Sequence, residues 1–360
     1  MPDHLVAEEV LTLPYGTLAT LHDGNSEVRL YSNLVTQTKQ VGKRISLLGR
    51  ENTVVGSEGA LLREIRHANV AEVYDTAEVV GADPALQVVE LVMPHYPGGS
   101  LLDFMLRGER ASVGQARDFM VRALRGLAWM HERHRLLHRD VKPANLFLSD
   151  DGSLVKVGDL GETIRMGDDG SADPLLVPQF WTAPETFGGA RHSVAAEVYS
   201  AGMCLQELLS GPFPYDDYTR ESIAERLQAG RCAVRPRDLR AAPHAPPEAT
   251  RVVNKATNLD PTRRYRSAED MVHALLALRF IDWSWPVADD HEIVWHGTYG
   301  RTRLRVAARR RARLGWRVRG EYLAPSGWRR VAGSDEVDGH DPLVAAATVL
   351  SQVSKHLTRT

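Results

Sequence analysis

Between His138 and Leu148 the chain reads His138-Arg139-Asp140-Val141-Lys142-Pro143-Ala144-Asn145-Leu146-Phe147-Leu148, a polar loop that runs into an apolar β-type triplet. An acid (Asp140), a base (Lys142) and an amide (Asn145) fall within six residues, each able to point into one cleft. Such a set suits phosphoryl transfer, which asks for positioning and neutralised charge more than for covalent chemistry. Asp140 would accept the proton of an acceptor hydroxyl, and Asn145 would bind a metal. Downstream, Leu154-Val155-Lys156-Val157 reads as a second strand that delivers a second metal-binding carboxylate, Asp159, with Asp150-Asp151-Gly152 as the turn between the strands. Mg²⁺ takes hard oxygen ligands and shares them with phosphate, so an amide and a carboxylate on adjacent hairpin ends fit it.

These two segments resemble, nearly letter for letter, the catalytic-loop and metal-binding signatures of the eukaryotic-type protein kinases, including the bacterial Ser/Thr kinases. The resemblance covers about three quarters of the chain. It implies an α+β, bilobal protein-kinase fold over residues 10–280, with the N-lobe ending near residue 93 and the C-lobe starting near 100. It also implies an enzyme that uses ATP and Mg²⁺ to phosphorylate Ser or Thr on a protein substrate, with Asp140 and Lys142 as catalytic residues and Asn145 and Asp159 as metal ligands. His138 reads as a packed structural histidine. Lys142-Pro143 is a Ser/Thr-kinase feature, whereas Val177-Pro178-Gln179-Phe180-Trp181-Thr182, ahead of Ala183-Pro184-Glu185, is closer to the tyrosine kinases' pattern. Lys142 lies beside the chemistry and carries more weight, and the acceptor type stays open.

The elements that must position this loop begin with strands over residues 10–50. Period-two alternation in Glu27-Val28-Arg29-Leu30-Tyr31 and the turn His22-Asp23-Gly24-Asn25 predict a hairpin. By the resemblance this hairpin lies over the nucleotide, with Gly24 and Val28 as contacts. A lone glycine in that turn also motivates a competing class, a pseudokinase scaffold that binds nucleotide weakly. Lys43, in Gln40-Val41-Gly42-Lys43-Arg44-Ile45-Ser46, would contact the phosphates, with Lys39 as the alternative. Glu58, fifteen residues later, would be its ion-pair partner, with Leu62 one helical turn on and facing the core. In the apolar strand 86–93 and the hinge-like stretch after it, Met93 would guard the back of the adenine pocket. The Pro94 carbonyl and the Tyr96 N–H would meet the base edge, and Ser100 or Asp103 the ribose.

Further along, Ala116, Phe119, Met120, Ala123, Leu124, Leu127 and Met130 recur at helical spacing after Ser112, a plausible N-cap, so residues 113–133 read as a buried helix. The activation segment, Leu160 to Thr182, offers Ser171 and Thr163 as its main hydroxyls apart from Thr182. Asp168, Asp169 and Asp173 already bring negative charge, so activity largely independent of phosphorylation there is expected. Glu197 opens a central helix where the family has Asp, and that helix stops at Ser210-Gly211-Pro212. Arg264 is assigned a structural ion pair with Glu185, and a helix from Ala268 to Leu278 closes the domain.

With 43% hydrophobic and 25% charged residues among 360, the chain has the composition of a folded protein with a sizeable core. No run approaches the roughly 18 apolar residues of a membrane span, and the first residues lack a basic stretch followed by an apolar one, so a cytoplasmic location is expected. Two cysteines, Cys204 and Cys232, are too few for a disulfide framework or a metal cluster. Arginine outnumbers lysine 38 to 6, a bias that a GC-rich bacterial genome would impose.

After Pro286 the texture changes. Residues 301–330 hold eleven arginines and one glutamate, a net charge of +10, against −10 for residues 1–300. Strand-like pieces at 292–295, 302–308, 315–322 and 328–331, with a helix near 341–357, predict a small basic βββα-type domain over 283–360. Three readings compete: a core with arginines turned to solvent, docking onto the acidic kinase domain or a protein partner, and a nucleic-acid platform. Alternation sets Trp316, Val318 and Tyr322 largely opposite Arg317 and Arg319, which disfavours the nucleic-acid platform.

Overall fold

The computed structural model describes residues 15–23, 26–48, 53–57, 59–79, 87–149, 151–311 and 315–358. Contacts divide the chain into two units: residues up to 96 other than 67–70, and residues 67–70 with everything from 97 onward.

In the first unit, strands β1 (Tyr15–Asp23), β2 (Ser26–Asn33), β3 (Lys39–Ser46), β4 (Asp75–Glu78) and β5 (Val88–Pro94) form an antiparallel sheet in the order β1-β2-β3-β5-β4. The predicted hairpin and third strand are both present. Short helices α1 (Val54–Ser57) and α2 (Gly59–Glu64) follow β3, and Leu62 is fully buried, as its predicted core-facing position requires. Gly42 matters for close approach, because a Cβ there would collide with the Glu90 carboxylate and the Tyr31 ring. The space it leaves lets the buried Glu90 meet Arg44, Nε to Oε2, at 2.9 Å.

The second unit is built on helices α3 (Leu101–Leu106), α4 (Val113–His134), α5 (Pro184–Phe187), α6 (Val194–Ser210), α7 (Arg220–Gln228), α8 (Pro247–Ala256) and α9 (Ala268–Leu276). Three short strand pairs join them: β6 (Leu136–Leu137) with β9 (Ile164–Arg165), β7 (Leu146–Leu148) with β8 (Val155–Val157), and β10 (Ser171–Ala172) with β11 (His192–Ser193). Ser112 caps α4 through a reciprocal box with Gln115, and all seven apolar positions that predicted this helix are buried. Helix α6 starts three residues before Glu197, with Ser193 at its N-cap position but making no side-chain bond there, and ends at Gly211 (φ 87°) as its stop signal predicts.

Beyond α9, strands β12 (Asp282–Trp283), β13 (Val287–Ala288), β14 (Glu292–Tyr299), β15 (Thr302–Arg311), β16 (Gly315–Ala324), β17 (Gly327–Arg330) and β18 (Val337–Gly339) make one antiparallel sheet, with α10 (Pro342–Thr358) packed on one face. The predicted pieces are all there. Three short strands, two or three residues each, are added because they hold too few alternations to be read from sequence. Trp283, Trp295, Leu304, Val306 and Val318 share a core with Val349 and Val353 of α10.

On the other face four arginines meet acids of the same sheet and its adjoining loop. Arg305 meets Glu321 at 2.6 Å, Arg309 meets Glu292 at 2.6 Å, Arg317 meets Asp338 at 3.0 Å, and Arg319 meets Glu336 at 2.6 Å. The sheet adjoins the helices through residues 280–285. Asp282 Oδ1 accepts the Gly114 N–H of α4 at 2.7 Å, Trp285 packs edge-on against His244, and Arg117 lies over the Phe280 ring. Among the described residues, no helix is long and apolar enough to cross a membrane.

Candidate active site

Helix α4 ends at Arg135, in the left-handed region at φ 54°, and the buried β6 carries the chain to His138. The Asp140 N–H donates to His138 Nδ1 at 3.2 Å, so the other nitrogen, Nε2, carries the proton and donates to the Gly158 carbonyl at 2.8 Å. His138 is fully buried and is the structural histidine expected, tying the loop to the residue just before Asp159.

Asp140 Oδ2 accepts from Asn145 Nδ2 at 2.9 Å and lies 2.8 Å from Lys142 Nζ. The same Asn145 nitrogen donates to the Asp140 carbonyl at 2.8 Å, and these two acceptors leave the amide oxygen as the atom with which Asn145 would meet a cation. The Asn145 carbonyl accepts the Gly158 N–H at 2.9 Å, and Leu146 pairs with Val157, so Asn145 and Asp159 flank adjacent ends of the β7–β8 hairpin. Asp159 is half-buried at φ 59°, a conformation aspartate tolerates better than most residues. An amide oxygen and a carboxylate, both hard donors, fit a Mg²⁺ whose remaining ligands come from phosphate and water.

Arg139 also lies in the left-handed region, at φ 66°, and its N–H donates to Glu197 Oε1 at 2.7 Å. The Arg139 guanidinium donates to the carbonyls of Glu162 at 2.7 Å and Asp173 at 3.0 Å, and stands 3.8 Å from the Glu162 carboxylate. Glu197 is buried against His131, whose Nε2 is 2.6 Å away; His192 Nε2, at 3.6 Å, is within charge reach but beyond hydrogen-bond length. Burial alone would push the Glu197 carboxyl up, yet the bond from His131 and the neighbouring His192 hold it well below the usual range.

Arg264 grips Glu185 with two bonds, at 2.6 and 2.8 Å, the ion pair expected of it. Trp181, ahead of the Ala-Pro-Glu triplet, donates its Nε1 to the buried Glu207 at 3.0 Å. The Phe213 N–H and the Tyr215 hydroxyl also donate to that carboxylate, and burial pushes it up to about 7.

In the first unit, Lys43 is half-buried on β3, opposite Val28 of β2 and Leu91 of β5, while Lys39 is exposed where β3 begins. Met93 is buried, Pro94 closes β5 opposite Gln40, and Tyr96 is half-buried with its hydroxyl pushed up by burial and by the charge of Glu72. Gly24 and Glu58 lie outside the described residues. Ser100 is buried and its hydroxyl is committed to capping α3, accepting the Asp103 N–H and donating to the Asp103 carboxylate.

Sequence reasoning missed Glu162 and the pairing of Glu197 with the Arg139 N–H. The one available signal was the Glu197 departure from the family's Asp.

The protein kinase domain profile matches residues 23–276. The chain is 30% identical over 210 residues to the SNF1-like protein kinase ssp2 of Schizosaccharomyces pombe, covering 57% of this chain and 35% of that protein. It is 29% identical over 227 residues to the carbon catabolite-derepressing protein kinase of Candida albicans (60% and 34%) and 28% identical over 208 residues to the serine/threonine-protein kinase PrkC of Bacillus subtilis (57% and 30%). The chain thus spans about a third of the length of these relatives.

Proposed function

The chain belongs to the protein kinase family, and on that premise we propose that it transfers the γ-phosphoryl group of ATP to a Ser or Thr hydroxyl of a protein substrate. The observation that carries the reading is the cluster of Asp140, Lys142 and Asn145 around one carboxylate oxygen. Asp140 accepts the proton of the attacking hydroxyl as the new P–O bond forms and the bond to ADP breaks. Lys142, already beside Asp140, holds the transferring group's charge. Asn145 and Asp159 hold Mg²⁺, which when bound neutralises charge on the phosphates. Lys43 grips the phosphates, with Gly24 and Val28 over them and Glu58 as the lysine's partner. Met93, the Pro94 carbonyl and the Tyr96 N–H form the adenine contacts. One relative that the chain matches, PrkC of Bacillus subtilis, is named a serine/threonine-protein kinase, which supports the acceptor class.

Residues 283–360 are proposed as an added module that selects a protein partner, since four arginines of its open face, Arg305, Arg309, Arg317 and Arg319, are matched by its own acids rather than left for a polyanion. Incubation with radiolabelled ATP, wild type against Asp140→Asn, tests the central reading: label on protein only with the wild type is expected. A scaffold that only binds nucleotide would label neither.

A further inference from the structure

Arg191 sits in the connection between α5 and β11, and nothing in its sequence neighbourhood marks it. Its Nε donates to Ser171 Oγ at 2.6 Å and lies 3.4 Å from Asp169 Oδ2. Its Nη2 donates to the Ser171 carbonyl at 3.3 Å, and its Nη1 to Asp173 Oδ1 at 2.9 Å. The Ser171 hydroxyl donates a hydrogen bond to Asp169 Oδ2 at 2.6 Å, and the Gly167 N–H closes back on the Ser171 carbonyl at 2.8 Å. Residues 171–172 then pair with 192–193, immediately after the arginine. One residue further, the Asp173 carbonyl receives the Arg139 guanidinium, and Arg139 is the residue before Asp140.

We infer that Arg191 is a positioning residue for the transfer reaction, clasping residues 167–173 with the chain's own carboxylates so that Asp173 can anchor Arg139 without any phosphate on the segment. This rests on the kinase reading above. An isolated pair at this exposure would contribute little, the Arg191 side chain being 51% exposed, but here several bonds converge on one planar guanidinium. Lysine offers a single charged point and cannot span Ser171 and Asp173 together. A phosphate on Ser171 would meet the Arg191 guanidinium, but it would also stand beside Asp169 and Asp173 and end the hydroxyl's donation to Asp169, so the clasp as built fits the unmodified serine.

The test uses the full-length protein and its Arg191→Ala, Arg191→Lys and Ser171→Glu variants. Hydrogen exchange of the amides in 167–173 is measured apart from steady-state phosphorylation. Arg191→Ala is expected to speed exchange at Ser171 and Ala172 by about tenfold and to lower kcat by about tenfold, with the KM for ATP changed less than about twofold. Arg191→Lys should recover less than about threefold of either, and Ser171→Glu should lower kcat. Unchanged exchange and kcat in Arg191→Ala, full recovery by lysine, or a gain from Ser171→Glu would each overturn the clasp. Exchange needs no turnover, so the two readings fail separately. A wild type without transfer activity defeats the kinase reading, whereas an active wild type indifferent to Arg191→Ala defeats the clasp alone.

Discussion

The catalytic loop and the arginine-rich sheet of the second unit are both rich in charged side chains, and they use charge in opposite ways. In the sheet, a regular register sets Arg305 opposite Glu321 and Arg309 opposite Glu292, so charges are satisfied by neighbours that strand geometry supplies. In the loop the backbone is irregular. Arg135, Arg139 and Asp159 all adopt positive φ, a conformation that costs about 1–2 kcal/mol per residue for side-chain-bearing residues. Buried groups far away in sequence, Glu197 above all, hold it there. High charge density alone therefore says little about function; strained backbone supported by buried, long-range bonds says more.

The largest effect that would break this contrast concerns the metal ligand. Asp159→Asn should reduce phosphoryl transfer by about 10³-fold or more while leaving the fold intact, because the cation loses its charged ligand. Activity within tenfold of wild type, with an unchanged melting profile, would mean that Asp159 is not the ligand.

Next is the support of the loop. Glu197→Ala removes the acceptor of the Arg139 N–H and of His131 together, and should destabilise the protein by about 1–3 kcal/mol for each buried donor left unsatisfied. Chemical denaturation reads it, and a loss below about 1 kcal/mol would put the loop's strain elsewhere.

Glu207 sharpens the contrast through pH. Its folded pKa, about 7, lies above its ordinary 4.5, so the folded state favours the protonated form. That contribution is fully present below about 4.5, is lost as pH rises from there to 7, and is constant above; the span corresponds to about 3 kcal/mol. Glu207→Gln, which cannot ionise, should flatten the difference between wild-type stability at pH 5 and pH 8. A parallel fall in both proteins would assign the dependence to other groups.

In the first unit, Lys43→Met should cut activity by about a hundredfold or more, and Lys39→Met by less than about twofold, since Lys43 is the half-buried one of the two. The reverse order would move the phosphate contact to Lys39.

The smallest effect belongs to the sheet. Arg309→Ala or Arg319→Ala should change stability by no more than about 1 kcal/mol, as for exposed pairs generally. Nucleic-acid binding by the full-length chain should be weak. A log–log salt dependence approaching about −0.9 per phosphate contact over several contacts, with sub-micromolar affinity, would show the arginines to be spent on a polyanion after all.

Much of this was legible in the chain because the signals are local. The seven apolar positions and Ser112 announce α4, the hairpin ends announce Asn145 and Asp159, and alternation announces β14 to β16. Arg264 with Glu185 was legible only through the family pattern, since 79 residues separate them. Arg191 and Glu162 were not legible. Their partners lie 18 to 23 residues away across irregular chain, where no periodicity links them, and in a sequence with 38 arginines one more carries no weight. Gly24 and Glu58, both singled out by the sequence, fall outside the described residues.

The family match stops at residue 276, but the carboxylate seated on the first turn of α4 belongs to Asp282, and the ring against His244 to Trp285. Helix α4 is the one that ends at the catalytic loop. The border at which the family match ends is therefore not the border at which this chain finishes folding: a gene cut at the first would yield a polypeptide with the Gly114 N–H of α4 stripped of its acceptor and an unclad patch beside His244. Any exchange of this appendage in evolution would have had to carry Asp282 and Trp285 along with it, or find substitutes for both.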